Sequence, residues 1–179
     1  MNTEQQISTI IATFNRPGVL NLLQHIREQG FFESPASSRF HNCKRGGLAI
    51  HSINVTRQFL RLLQINNHRI HLESVYIVGL FHDLCKMGLY EGKYPNWELN
   101  RRQLAKGHAL ESLRIIKKFI ELKTWEENAI KYHMGFYHCH ESGLKGTEYS
   151  MKEYLDVINA DPTIELFHYA DNMEAKFPQ

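Results

Sequence analysis

The run "SVYIVGLF", residues 74–81, is followed at once by His82 and Asp83. So uniformly apolar a segment predicts a central helix covered on most sides, spanning about Ser74 to Met87, and it carries whatever follows it toward the interior. A carboxylate removed from water costs several kcal/mol or more unless something compensates it. The chain must therefore fold so that compensation reaches Asp83. The source is either hydrogen bonding at a helix end or positive charge brought in from elsewhere.

With 179 residues the chain is long enough for one sizeable core and short for two. Its formal charge of +2 gives no warrant for nucleic-acid or membrane binding. Cys43, Cys85 and Cys139 are odd in number and form no CxxC pair. That argues against a disulfide framework or a structural zinc knuckle and fits a reducing cytoplasm. No run of about 18 apolar residues is present to span a bilayer, and the polar opening "MNTEQQISTI" lacks a secretory signal's basic start. The compositional oddity is eleven histidines.

Helical periodicity extends over almost the whole chain. "TEQQISTIIATF" and "GVLNLLQHIREQG" carry apolar residues three and four apart, with Pro17 between them. "FFESPASSRFHNCKRGG" is loop, and a helix over about Leu48–Ile65 puts His51, Val55, Phe59 and Leu62 on one stripe. Residues 88–103 have aromatics, Gly and Pro but no helical period, which suits a short β-hairpin or an ordered flap. Helix resumes over about Gly107–Leu122 and again after "TWEE", where Thr124 and Glu127 form a capping box. "ESGLKGTEYS" is loop, "MKEYLDVINA" is helix, and Asp161-Pro162 starts a last helix. The expected fold is all-α, one domain over 1–179 with seven or eight helices, residues 1–35 being two packing helices.

The polar residues fall on the apolar sides of these helices. His51 opens one stripe, and His82 and Asp83 end the central helix. His108 shares a side with Ser112, Ile115 and Phe119, His133 with Ala129 and Ile130, and Asp171 with Ile164 and Phe167. Taken singly, each has an ordinary explanation, a hydrogen-bonded core histidine or a capping carboxylate. Together they need five separate polar solutions in one small core, or one shared metal centre whose cations compensate the carboxylates and use the imidazole lone pairs. Neighbouring helical residues point about 100° apart. His82 and Asp83 can thus flank a metal pair, the imidazole on one ion and the carboxylate bridging a gap of about 3.5–4 Å.

These residues resemble the HD-domain superfamily of metal-dependent phosphohydrolases. "HNCKRGGLAIHSINV", "GLFHDLCKMG", "KGHALES", "IKYHMG" and "LFHYADNMEA" are similar to successive segments of HD proteins akin to the bacterial 3′-to-5′ exoribonuclease branch, over about residues 40–176. The resemblance implies an all-helical bundle with His51, His82, Asp83 and Asp171 as core metal ligands. His108 and His133 would complete a second site for two divalent transition-metal ions (Fe, Mn, Zn, Ni or Co). Asp83 would bridge the ions and orient the attacking hydroxide, while Lys86 would contact phosphate. Cys85 stands where glycine is common in the family. The exoribonuclease-like members carry an N-terminal nucleic-acid-binding domain, and the first 35 residues are too few for one. A small phosphorylated substrate, a nucleotide above all, is expected rather than a polynucleotide.

Two other readings use the same residues. The set of four histidines and two aspartates is also that of HD-fold di-iron oxygenases, which act on small organic substrates. A non-catalytic nucleotide-binding or regulatory domain could use metals for structure alone, although structural sites tend to be closed and single. Lys44 and Arg45 before Gly46-Gly47, and Arg101, Arg102 and Lys106 before His108, are either phosphate contacts or surface charge. The glycine pair would let backbone approach a ligand. His41 lines the cleft or is exposed, and His138 and His140 read as loop histidines. Tyr90, Tyr94, Trp97, Phe136 and Tyr137 either stack on a base or pack.

Overall fold

The computed structural model describes residues 1–39, 42–93, 95–100, 108–143 and 147–177. Eight α-helices are present among them: α1 (Thr3–Ile11), α2 (Val19–Glu28), α3 (Gly47–Ile65), α4 (Leu72–Phe81), α5 (His108–Ile116), α6 (Thr124–Tyr132), α7 (Met151–Ala160) and α8 (Thr163–Lys176). Between α4 and α5 an antiparallel hairpin pairs β1 (Tyr90–Lys93) with β2 (Asn96–Leu99), Tyr90 opposite Leu99. The all-α expectation, hairpin included, matches this architecture.

The long α3 lies between α4 and α8, and α6 packs on α5, α4 and α8. One large core runs from Ile7, Ile11, Leu22 and Ile26 of the first two helices to Leu48, Val55 and Phe59 of α3 and Phe167 of α8. Val75, Ile77, Val78, Leu80 and Phe81 of α4 are all buried in it. A smaller aromatic cluster of Tyr132, Tyr149 and Tyr154 sits beside it, with the Tyr149 hydroxyl donating to the Gly135 carbonyl at 2.8 Å. No described helix is long and apolar enough to cross a membrane.

Several expected boundaries move. Helix α4 stops at Phe81 instead of continuing to Met87, and a short 3-10 turn over Leu84–Lys86 follows. Helix α5 ends at Ile116 rather than Leu122, and the expected start at Gly107 lies outside the described residues. At α6 only the returning half of a capping box is present, one residue earlier than expected. Lys123, not Thr124, precedes the helix, and its backbone N–H donates to the Glu126 carboxylate at 2.8 Å. The cause is Arg16, whose guanidinium grips the fully buried Glu126 at 2.8 and 2.9 Å and turns that carboxylate inward. Before α8 the Asp161 side chain accepts the Thr163 N–H at 3.0 Å.

Helices α3 and α4 approach closely at Gly79, where an added Cβ would strike the Oγ1, Cβ and Cα of Thr56. Gly79→Ala tests this contact. Helix propensity alone favours alanine by about 1 kcal/mol, but forcing apart packed backbone costs about 1–3 kcal/mol. Urea unfolding is expected to show a net loss of stability, and an unchanged or raised midpoint would refute so close an approach.

Candidate metal centre

Seven polar side chains converge where α3, α4, α5, α6 and α8 meet. His51 comes from the first turns of α3, His82 is the residue that ends α4, and Asp83 follows it. Lys86 closes the 3-10 turn, His108 opens α5, His133 ends α6, and Asp171 projects from α8. His51, His82, Asp83 and His133 are essentially inaccessible. Asp171 and His108, with side chains 15% and 21% exposed, mark the open side.

The two oxygens of Asp83 face different partners. Oδ2 lies 3.6 Å from His51 Nε2, 3.5 Å from His82 Nε2 and 2.6 Å from Lys86 Nζ. Oδ1 lies 2.8 Å from His108 Nε2 and 3.8 Å from His133 Nε2. Asp171 Oδ1 joins the first group, 3.0 Å from His51 Nε2 and 3.6 Å from His82 Nε2. Every histidine in these contacts presents Nε2.

That orientation has a local cause at two of the rings. His82 Nδ1 lies 3.0 Å from the carbonyl of Gly79, and His133 Nδ1 lies 2.7 Å from that of Ile130. A carbonyl only accepts, so each Nδ1 carries a hydrogen and donates it, and either ring, when neutral, keeps its lone pair on Nε2. The last carbonyls of a helix have no partner of their own. Each ring therefore satisfies a carbonyl three residues back, ends its helix, and aims Nε2 at the cluster. His168 of α8 supports the second ring, its Nδ1 lying 2.6 Å from the His133 carbonyl.

Burial opposes charge throughout, and the close contacts decide who carries it. Although buried, Asp83 is held well below the usual carboxylate range by Lys86, His82 and His108, and Asp171 likewise by His51 and His82. Burial works against a charged His82, but Asp83 and Asp171 push it up to about 10. His108 also rises to about 10 against its burial, under Cys85 and Asp83. Lys86 is raised despite burial by Asp83 and Asp171. His133 is pushed down to about 3 by burial and by the neighbouring His82 and His108, so it stays neutral.

Among the described residues, Nε2 of His82 and Nε2 of His133 are buried without a hydrogen-bond partner. Polar atoms in that state are costly, and a divalent cation would satisfy them. Donor atoms of His51, His82 and Asp171 lie within 4.8 Å of one another, and so do those of His82, Asp83 and His133 and of Asp83, Cys85 and His108. Imidazole and carboxylate donors suit first-row divalent metals. The residues present fit such ions.

The other expected contacts are placed less centrally. Lys44 and Arg45 are exposed, and Arg45 lies 3.8 Å from Glu33. The adjoining glycines serve the chain's own packing, because a Cβ at Gly47 would collide with the Asn42 carbonyl. Arg101, Arg102, Lys106, His41 and Tyr94 lie outside the described residues. Tyr90 and Trp97 line a cavity of about 610 Å3 with Arg45 and Lys93, and Trp97 Nε1 donates to the Cys43 carbonyl at 2.6 Å. Phe136 and Tyr137 are exposed, as is His140, whose Nδ1 lies 2.9 Å from Thr147 Oγ1. His138, read like His140 as a loop histidine, is half-buried beside His108. It closes a 3-10 turn, its ring centroid is 6.0 Å from that of His108, and burial with the nearby His108 pushes it down to about 4. Glu148 was also missed. Its carboxylate accepts the Ala109 N–H at 3.1 Å and so caps the helix that begins at His108.

A family model described as HD domain matches residues 48–175. That span covers well over half of the chain and every residue of the cluster, and the chain belongs to the HD-domain family. No curated protein and no solved structure matches it. The family and the His/Asp cluster together are compatible with divalent-metal binding and point to hydrolase-type chemistry.

The same charges fix how stability responds to pH when metal is withheld. His82 and His108 titrate near 10 folded against about 6.5 unfolded. Their stabilisation is complete below about pH 6.5 and disappears as pH rises toward 10. His133 acts in the opposite sense, its contribution complete above about pH 6.5 and lost as pH falls toward 3. Calorimetry of chelator-treated protein is expected to give a melting temperature highest near neutrality and falling on both sides. A melting temperature that climbs from pH 7 to pH 10 would contradict the assignment.

Proposed function

For this HD-domain protein we propose metal-dependent phosphohydrolysis of a nucleotide or a phosphodiester. Two divalent transition-metal ions would be held by His51, His82, Asp83, His108, His133 and Asp171. The observation that supports this reading most is the division of Asp83, one oxygen facing His51 and His82 and the other facing His108 and His133. A single carboxylate shared in this way is what a two-ion centre requires of its bridging ligand.

When bound, such ions lower the pKa of a water toward neutrality and polarise a phosphoryl oxygen. The rest is done by the chain. Asp83 holds the two halves of the centre at a fixed separation and orients the attacking water by accepting its hydrogen bond. Lys86, 2.6 Å from Asp83 Oδ2 and 15% exposed, stands at the mouth of the site. Its ammonium neutralises charge that builds on the phosphoryl group. His51, His82 and His133 close the inner side.

The cavity bordered by Tyr90, Trp97, Arg45 and Lys93 supports a nucleotide. Tyr90 lies close enough to the centre to feel the charges of Lys86 and Asp83. Aromatic faces suit a base, and Arg45, with Lys44 of the same exposed segment, suits its phosphates. Arg102 keeps the same assignment on sequence grounds alone.

Purified without metal stripping, the protein is expected to contain transition metal and, with Mn2+ added, to release phosphate from nucleotides or to cleave cyclic nucleotides or simple phosphodiesters to a monoester and an alcohol. His82→Ala and Asp83→Ala should each lose metal and more than about 100-fold of the activity. Lys86→Met should keep its metal and lose about 100-fold in turnover. Oxygen consumption with an organic substrate, and no hydrolysis of any phosphoester, would replace this reading with the di-iron oxygenase one. Metal lost in both variants with a measured activity spared would make the metals structural.

A further inference from the structure

Two of the three histidines that end or begin helices at the centre are fixed by main-chain carbonyls, His82 by Gly79 and His133 by Ile130. At His108 the partner of Nδ1 is a side chain, and Cys85 Sγ lies 3.0 Å away. The other nitrogen of that ring, Nε2, is 2.8 Å from Asp83 Oδ1. Sulfur and carboxylate therefore meet different nitrogens of one ring. Cys85 is tied to α5 a second time, since its backbone N–H donates to Ser112 Oγ at 3.1 Å, one turn along from His108. Away from the ring, Cys85 borders a cavity of about 220 Å3 with Met87, Ile115 and His25.

We propose that Cys85 is the positioning residue of His108, its sulfur accepting the Nδ1–H and so holding Nε2 toward the half of the centre built on Asp83 Oδ1. The role is the one a carbonyl plays for His82 and His133. A ligating nitrogen is generally oriented by what its other ring nitrogen touches. The donors of Asp83, Cys85 and His108 lie within 4.8 Å of one another, so direct ligation by sulfur is the competing role. The geometry favours positioning, because the sulfur contacts the nitrogen that does not meet the carboxylate. With the sulfur removed, the adjoining cavity gives the ring room to turn. Only the His108–His133 half should suffer.

This inference rests on the two-ion reading, and one set of titrations separates the two. Co(II) is titrated into metal-stripped wild type, Cys85→Ala and Cys85→Ser against a chromogenic chelator, with electronic absorption recorded throughout. Wild type is expected to take up two ions without the intense near-ultraviolet absorption of a cobalt–thiolate bond. Cys85→Ala should bind the first ion as wild type does and the second about 10–100-fold more weakly. Cys85→Ser, whose hydroxyl oxygen accepts the same N–H, should recover most of that loss.

A cobalt–thiolate band in wild type that vanishes in Cys85→Ala would make the sulfur a ligand and overturn the positioning role. Undiminished binding of both ions by Cys85→Ala would leave the sulfur without a role. Equal weakening of both ions, or no recovery with serine, would make its contribution structural. Wild type that takes up fewer than two ions would overturn the two-ion reading, and this inference with it.

Discussion

The centre of this fold is arranged around the buried Asp83 carboxylate. It is there because the apolar run before it is driven inward. Burying Val75, Ile77, Val78, Leu80 and Phe81 contributes on the order of 10 kcal/mol, an upper figure since the unfolded chain already hides some apolar surface. That exceeds the several kcal/mol lost in desolvating one carboxylate, so the helix takes the charge with it. The remaining helices must then bring positive charge or its equivalent to both oxygens. Lys86 and His108 do so at 2.6 and 2.8 Å, where low polarisability makes each contact count for more than it would in water.

Much of this was legible in the sequence, and the reason is periodicity. His51, His108, His133 and Asp171 each share a helical stripe with apolar neighbours, so their inward direction follows from 3.6 residues per turn. Their meeting at one place required the family resemblance, since spacing along the chain does not reveal which helices touch. The end of α4 was misjudged because hydrophobicity continues through Leu84, whereas the helix is terminated by a ring hydrogen bond from His82 to Gly79. The capping register of α6 was decided by Arg16, 110 residues earlier in the chain. Cys85 meets His108 across 23 residues that include the hairpin, while His138 reaches the same ring and Glu148 the backbone beside it, both from irregular backbone. Irregular segments carry no period to read.

The first two helices lie ahead of the residues matched to the family, yet they are part of the same packing. Ile7, Ile11, Leu22 and Ile26 share one core with α3 and α4. Between the two helices Arg16 reaches Glu73 of α4 at 3.2 Å, the Glu121 carbonyl at 2.7 Å and Glu126 of α6. One guanidinium thus ties the N-terminal helices to the starts of both helices that end in a histidine of the cluster. The fork geometry of arginine makes that three-way grip feasible where a lysine would offer a point charge.

The histidine rings differ in what secures them, and this difference bears on how such a centre could change over generations. The Gly79 and Ile130 carbonyls that orient His82 and His133 belong to the main chain. Any residue at those positions would supply the same acceptor, so point mutation cannot take it away while the helix persists. His108 leans on a side chain, and a single codon change at position 85 alters its support. Two of the rings are thereby shielded from drift, and the third is open to gradual retuning of the affinity it contributes to.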